Sequence, residues 1–390
     1  MTKKISIGII GLLSGVLLAY LVIVKPSFIS FTSNKTTLFS QNPPKVRTRE
    51  VIGFMPYWLL GKAQSDYSSF ITQLAYFSLT VDTDGRIKKL ASPVEAEPGW
   101  YALDSGKFNQ RLTTAQKKGL DLSLTVFNGD VDEINQIISE PKIHAANLAS
   151  DVILVMRQHG FQELNLDLES TKEASPEARN NFTQFTKELT ERLKKAGYTI
   201  TIDITGMDLI KQDLIDPKEI GNMVDHVLVM TYDFHYAGSR VTGAVAPLGG
   251  AGISAEYDVQ TAIEKAKASI PAKKLILGAP VYGYEWETLG NSPGVGSIPG
   301  SGITASTQRV ERLLSSCSSC SAQFDESSQE SYVSYLDTET NTYHQISFPD
   351  QRSTQAKIDF ATEQGLGGIG IWALGYESRD VLTPLRDYIK

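Results

Sequence analysis

The chain has 390 residues, 41% hydrophobic and 9% aromatic, enough for one large folded domain with a sizeable core and a small one beside it. Its 37 Lys and Arg against 44 Asp and Glu leave a formal net charge of −7 at pH 7, which argues against nucleic acid as the main partner and leaves a neutral polymer compatible. The two cysteines, Cys317 and Cys320, have no histidine near them and are too few for a zinc site; they read as a small-loop disulfide or as free thiols.

Residues 5–24 form an almost uninterrupted apolar run preceded by Lys3 and Lys4. As a helix the run would span roughly 30 Å, the hydrocarbon thickness of a bilayer. The preceding lysines favour an N-in orientation, and no small-x-small cleavage site follows. The expectation is an uncleaved signal anchor over residues 1–25, a transmembrane helix with the rest of the chain outside the cell membrane; secretion after cleavage is the alternative. Residues 26–49 are polar, contain the pair Pro43-Pro44, and read as a linker.

From residue 50 to 390, short apolar runs alternate with helical patterns. The runs are 51–54, 74–79, 122–127, 162–169, 199–204, 227–232, 275–280 and 367–372. Residues 181–196 and 353–364 read as amphipathic helices, the second with Ser353 as N-cap and Gly365 as stop. Strands alternating with helices imply a parallel sheet, and eight of them fit a (β/α)8 TIM barrel of the α/β class. A doubly wound sheet would want a glycine-rich loop after its first strand, and Met55-Pro56-Tyr57-Trp58 is unlike one. The stretch between the seventh and eighth runs is too long for one helix. It reads as a small α+β insertion over about residues 287–346, ending in a hairpin through Tyr332 and Tyr343.

The fourth run carries the candidate chemistry. In Gln162-Glu163-Leu164-Asn165-Leu166-Asp167-Leu168-Glu169, leucines alternate with polar residues. Successive strand side chains point to opposite faces, so Asn165, Asp167 and Glu169 share one. Asp167 and Glu169 then lie roughly 7 Å apart along the strand, close enough for one to resist ionising. A protonated carboxyl beside a carboxylate suits acid-catalysed glycoside cleavage. The same alternation also describes any half-solvated antiparallel strand.

Four segments in this order resemble glycoside hydrolase family 18, the chitinase-like barrels. The fourth run is similar to the family's DGxDxDxE signature, Met230-Thr231-Tyr232-Asp233 to its MxYD, residues 278–286 to its GxPxYGxxW, and residues 367–372 to its GGxxxW. Two positions depart from the pattern: Gln162 and Asn165 stand where the signature has Asp. Asn165, Val245-Ala246-Pro247-Leu248 and Pro280-Val281-Tyr282-Gly283-Tyr284 resemble the branch related to spore-germination peptidoglycan hydrolases.

The resemblance implies substrate-assisted, retaining hydrolysis of a β-1,4-linked N-acetylglucosamine polymer, peptidoglycan or chitin, leaning to the former. It assigns Glu169 as general acid and then base, Asp167 as the group orienting the acetamide, and Tyr232 as donor to the acetamide carbonyl. Asp233, Trp372, Met230, Asn165, Phe77, Tyr282 and Trp58 are the implied substrate-binding residues, with Tyr57 and Tyr284 weaker candidates. Asn165 is expected to hydrogen-bond Asp167 and leave it more readily ionised. His235 is read as a cleft-edge or satisfied polar residue. No cofactor or metal is implied, and a monomer is expected. The competing reading is a lectin-like barrel that binds such glycans and cleaves them poorly.

Overall fold

The computed structural model describes residues 49–390 except 65, 171, 207, 210–212 and 253–255. The expected anchor over residues 1–25 and the linker over 26–48 lie outside the described residues. Among those described, no helix is long and apolar enough to cross a membrane.

The first seven barrel strands are parallel: β1 (Glu50–Pro56), β2 (Gln73–Thr80), β3 (Asp121–Asn128), β4 (Glu163–Leu168), β5 (Thr199–Thr205), β6 (His226–Met230) and β7 (Leu275–Pro280), with a short antiparallel pair, Leu90–Ser92 and Glu95–Ala96, in the connection from β2 to β3. An antiparallel sheet of five strands follows: β8 (Tyr282–Thr288), β9 (Ile303–Ser306), β10 (Gln323–Asp325), β11 (Glu330–Asp337) and β12 (Thr342–Phe348), in the order β9-β8-β12-β11-β10. The chain then returns to the barrel with β13 (Gly368–Trp372), which pairs in parallel with β7 and β1 and closes the ring of eight. Each of the eight apolar runs is a barrel strand.

Helices sheathe the ring. α1 (Pro141–His159) begins with Pro at its first position and stops at Gly160, whose φ of 76° puts it in the left-handed region. α2 (Pro176–Lys195) is capped by Ser175, whose hydroxyl accepts from the Ala178 N–H, and buries Phe182, Phe185, Leu189 and Leu193 along one stripe. These residues share the main core with Leu164, Leu166 and Leu168, the outward face of β4. Strand β4 is therefore buried on both faces, as a covered parallel strand must be, and the half-solvated reading fails.

α3 (Thr307–Ser316) lies against the antiparallel sheet, and Cys317 and Cys320 just beyond it form a disulfide. α4 (Gln351–Glu363) precedes β13. Its N-cap is Asp350, not Ser353: the Asp350 carboxylate accepts from the Ser353 N–H at 2.9 Å and from the Ser353 hydroxyl at 3.1 Å. A carboxylate three residues earlier outcompetes the hydroxyl as the acceptor for the first turn.

The barrel interior is layered. At its floor Glu163 accepts from Gln73 Nε2 at 3.2 Å, Thr199 Oγ1 at 3.2 Å and Thr201 Oγ1 at 3.0 Å. Gln162 lies at this same end, its Oε1 accepting from the Leu122 N–H at 2.7 Å. Above them Ile52, Ala75, Leu228 and Ile276 form an apolar plug. The mouth beyond the plug holds the polar groups.

Candidate active site

At the C-terminal ends of the strands, where barrel active sites lie, a cleft of about 490 Å³ opens. Asp167 and Glu169 reach into it from β4. Asp167 is 2% exposed, and Glu169, one residue past the strand, is half-buried. The Glu169 N–H donates to the Asn128 carbonyl at 3.0 Å, which prolongs the ladder with β3 and fixes where its side chain starts.

The cleft wall is aromatic. Phe77 and Trp372 meet edge-on with centroids 4.6 Å apart, Phe54 lies 6.1 Å from Trp372, and Phe127 lies 5.5 Å from Phe77. Trp58, in the turn after β1, is 49% exposed and stands edge-on to both Phe77 and Trp372. The Phe77–Ser78 and Trp372–Ala373 peptide bonds are cis. Leu228, Met230 and Tyr232 line the cleft together, as the period-two rule requires of one strand face. Tyr232 is let in by Gly278: a Cβ there would lie 2.7 Å from the Val229 carbonyl oxygen and 3.1 Å from Tyr232 Cε1.

Asp233 sits at the exposed rim with φ +60°, a left-handed conformation that an Asp tolerates better than most side chains. Two hydroxyls hold it there: Tyr282 donates to its Oδ1 at 2.5 Å and Tyr284 at 3.1 Å. This corrects the expectation for Tyr282. It is 3% exposed, packed with Val245, Tyr284 and Trp286, and it anchors Asp233 and does not line the cleft. The reason is topological, because β8 turns away from the barrel into the antiparallel sheet immediately after Val281.

Asn165 requires a second correction. It is 1% exposed and does not line the cleft, and its Nδ2 donates at 2.7 Å to Asp203 Oδ1 on β5, not to Asp167. Asp203 is itself a cleft residue that the motif comparison passed over. A signal was present, since Thr199-Ile200-Thr201-Ile202-Asp203-Ile204 alternates as β4 does and puts Asp203 on the inward face. Phe54, Phe127, Thr205, Glu256 and Tyr257 also line the cleft without having been singled out. Glu256 and Tyr257 come from an irregular loop, where no periodicity could point to them. His235 is a satisfied buried residue, its Nδ1 lying 2.8 Å from the Ala244 carbonyl.

The carboxyl groups perturb one another. Burial pushes Asp167 well above the usual carboxylate range, and the charges of Glu169, Asp203 and Asp208 add to it. Glu169 is raised from 4.5 to about 6, first by burial and then by Asp233 and Asp208. Burial also pushes Asp203 well up, opposed by the Asn165 hydrogen bond and reinforced by Glu169 and Glu163. Asp167 is therefore harder to ionise than a free Asp. The result is a half-buried acid that keeps its proton to higher pH than a free Glu, beside a fully buried one that is also raised. Among the described residues no group of His, Cys, Asp and Glu is arranged to hold a metal ion.

The family model described as "Glycosyl hydrolases family 18" matches residues 47–377. A curated relative, the "Cortical fragment-lytic enzyme" of Bacillus subtilis (strain 168), is 27% identical over 327 residues, covering 81% of this chain and 67% of its own length. A second, the "Probable chitinase 2" of Drosophila melanogaster, is 26% identical over 235 residues, 56% of this chain and 48% of its own. The chain spans about two thirds of the length of the cortical fragment-lytic enzymes it matches, 67% and 65% for two of them.

Among solved structures, the spore cortex-lytic enzyme SleL of Bacillus megaterium QM B1551 has a TM-score of 0.69 at 22% identity, covering 89% of this chain and 75% of that one. The group IV chitinase of Ostrinia furnacalis, in complex with allosamidin, has a TM-score of 0.75 at 23% identity, covering 87% and 97%. At these identities the structural likeness speaks for the fold alone. The family match, over most of the chain and across all four motif segments, places this protein among the glycosyl hydrolases of family 18, a family of glycosidases.

Proposed function

We propose that this chain hydrolyses β-1,4-linked N-acetylglucosamine-containing glycans with retention, using the substrate's own acetamide as nucleophile. The observation that carries the reading is the pairing of Glu169, raised to about 6, with the buried Asp167 in one aromatic-walled cleft. Glu169 protonates the leaving glycosidic oxygen and later accepts a proton from water. Asp167 accepts the acetamide N–H and holds the carbonyl oxygen against the anomeric carbon, and Tyr232 donates to that oxygen. Trp372 and the Phe77 ring beside it offer an apolar face to the sugar at the cleaved bond. Trp58, half exposed at the rim, extends that face along the chain of sugars.

Relatives named for cortical fragments and for chitin support both polymers as substrates. The cleft is lined by Asp167, Glu169, Asp203, Asp233 and Glu256, with no Lys, Arg or His among the described residues that line it. Such a field favours uncharged stretches of either polymer over acidic ones. The apolar run at residues 5–24 supports a membrane-anchored placement with the barrel outside, which carbonate extraction and protease accessibility of cells would test.

The experiment is to incubate the chain and its Glu169→Gln variant with chitooligosaccharides and with purified peptidoglycan, and to read products by mass spectrometry. Cleavage by the parent and none by the variant is expected. Binding without cleavage by either would replace hydrolysis with the lectin-like reading.

A further inference from the structure

The fourth and fifth strands each bring one carboxyl to the same depth of the barrel. Asn165 pairs with Thr201 and Leu166 with Ile202, and the same offset carried on sets Asp167 level with Asp203. Asn165 stands two residues before Asp167 on the same face of β4. Its side-chain amide nitrogen is taken by Asp203 Oδ1 at 2.7 Å. Its carbonyl oxygen, and Asp167 Oδ1, are both buried and neither has a partner among the protein groups.

A buried acceptor left unpaired keeps the desolvation cost of its burial with no hydrogen bond to offset it. One proton removes both costs. An O–H on Asp167 Oδ1 makes that atom a donor, and Asn165 Oδ1, two residues back on the same strand face, is an acceptor. An Asn amide is free to rotate and present either end. Here the Asp203 carboxylate fixes it, since a carboxylate accepts from the NH2 end and has nothing to give to the carbonyl end.

We propose that Asp203 is a positioning residue of the cleavage reaction: through Asn165 it fixes which oxygen of Asp167 carries the proton and which one is left to the substrate. The inference rests on the hydrolytic reading above. The Asp167 proton points down the barrel toward Asn165, and Oδ2 points to the acetamide N–H. The carboxyl that partners Asp167 thus stands on β5, with the amide on β4, in place of an acid at position 165.

The other groups facing this pair are named by the same geometry. Glu169 and Glu163 face it from β4, Asp208 from the turn after β5, and Tyr232 and Asp233 from the end of β6; all are acidic or phenolic. β6 presents Leu228 in register with Asp203, so no cation neutralises the pair from that side. Burial and these neighbours push both acids up, which suits a shared proton held at neutral pH.

The test uses the full chain and three variants: Asp203→Asn, Asn165→Asp, and the transposed double N165D/D203N. With chitooligosaccharides, Asp203→Asn is expected to lower kcat on the order of 10²-fold, as loss of positioning does, with a displaced pH profile and little change in KM. The double variant restores an acid–amide pair in mirror order and is expected to recover at least about a tenth of parental kcat. An Asp203→Asn enzyme with the parental pH profile and kcat would overturn the proposal. So would a double variant no better than Asn165→Asp, a comparison that stands even if Asp203→Asn does not fold.

Aspartate-labelled protein gives a readout that needs no turnover. Carboxyl carbon-13 titration of the parent is expected to show two coupled high-pH transitions, and removing Asp203 is expected to move the Asp167 transition toward the ordinary range. A parent that cleaves nothing while this coupling is present removes the hydrolytic reading and leaves the Asp203–Asn165–Asp167 linkage standing. An Asp167 transition unmoved by the substitution removes the linkage.

Discussion

Replacing Glu169 with Gln should make the protein more stable at neutral pH while abolishing its chemistry. Glu169 is raised from 4.5 to about 6 by burial and by Asp233 and Asp208. The sign follows from proton counting. Between those two values the native chain binds more protons at this site than the unfolded chain, so stability falls as pH rises. The full gap corresponds to ~2 kcal/mol, and screening of a half-buried side chain trims this to ~1–2 kcal/mol. A Gln keeps the shape and carries no charge, so the variant escapes that loss.

For a folded unit of roughly 340 residues at ~2.1 cal/mol/K each, the gain is about 1–3 °C in Tm. The assay is urea unfolding and calorimetry of both proteins at pH 4 and pH 7.5. Equal stabilities at pH 4 and a more stable variant at pH 7.5 are expected, with kcat down roughly 10²–10⁴-fold. A variant no more stable than the parent at pH 7.5 would refute the reasoning, because Glu169 would then not be held above its ordinary range.

Three further outcomes are expected. Gly278→Ala sets a methyl 2.7 Å from the Val229 carbonyl and 3.1 Å from the Tyr232 ring, so it should destabilise by about 1–3 kcal/mol and lower kcat by displacing Tyr232; unchanged melting and kinetics would count against the close approach. Lys357→Met removes the cation 3.1 Å from Glu330 in a pair whose side chains are 2% and 1% exposed, leaving the carboxylate only the Val245 and Ala246 amides, and calorimetry should register a loss of about 3–5 kcal/mol; a loss under 1 kcal/mol would show that the two amides suffice to hold the buried charge. Trp58→Ala should raise KM for long oligosaccharides with little change in Tm, because the ring is 49% exposed, whereas Phe77→Ala at 5% exposed should cost about 3–5 kcal/mol of stability; equal effects on Tm would show that Trp58 is a packing residue.

The barrel was legible because parallel strands covered on both faces read as short apolar runs, and each of the eight runs is one. The β4 acids and Tyr232 were legible because period two is enforced by the backbone itself. What could not be read was where side chains meet across strands. Asn165 and Asp203 are 38 residues apart in sequence, and nothing local to either says that one amide turns to the other acid. Tyr282 resembled a cleft residue by motif, but its direction is set by a sheet pairing with β9 and β12 that its neighbours in sequence do not encode. Ser353 failed as a cap for a plainer reason, since Asp350 stands three residues earlier with the stronger acceptor.

The antiparallel sheet leaves the barrel with a single residue, Val281, between β7 and β8. Val281 is itself tied down, its N–H to the Trp372 carbonyl at 2.8 Å and its carbonyl to Thr307 Oγ1 at 3.2 Å. Tyr282 and Tyr284 hold Asp233, and Glu330 takes the amides of Val245 and Ala246 at 2.8 and 3.0 Å. For anyone wishing to trim this barrel to a minimal catalyst, or to graft a different binding module at that point, the sheet is not a detachable accessory. Cutting it away would strip the rim aspartate of both its hydroxyl donors and leave two buried main-chain donors without an acceptor, so the smallest working unit includes it.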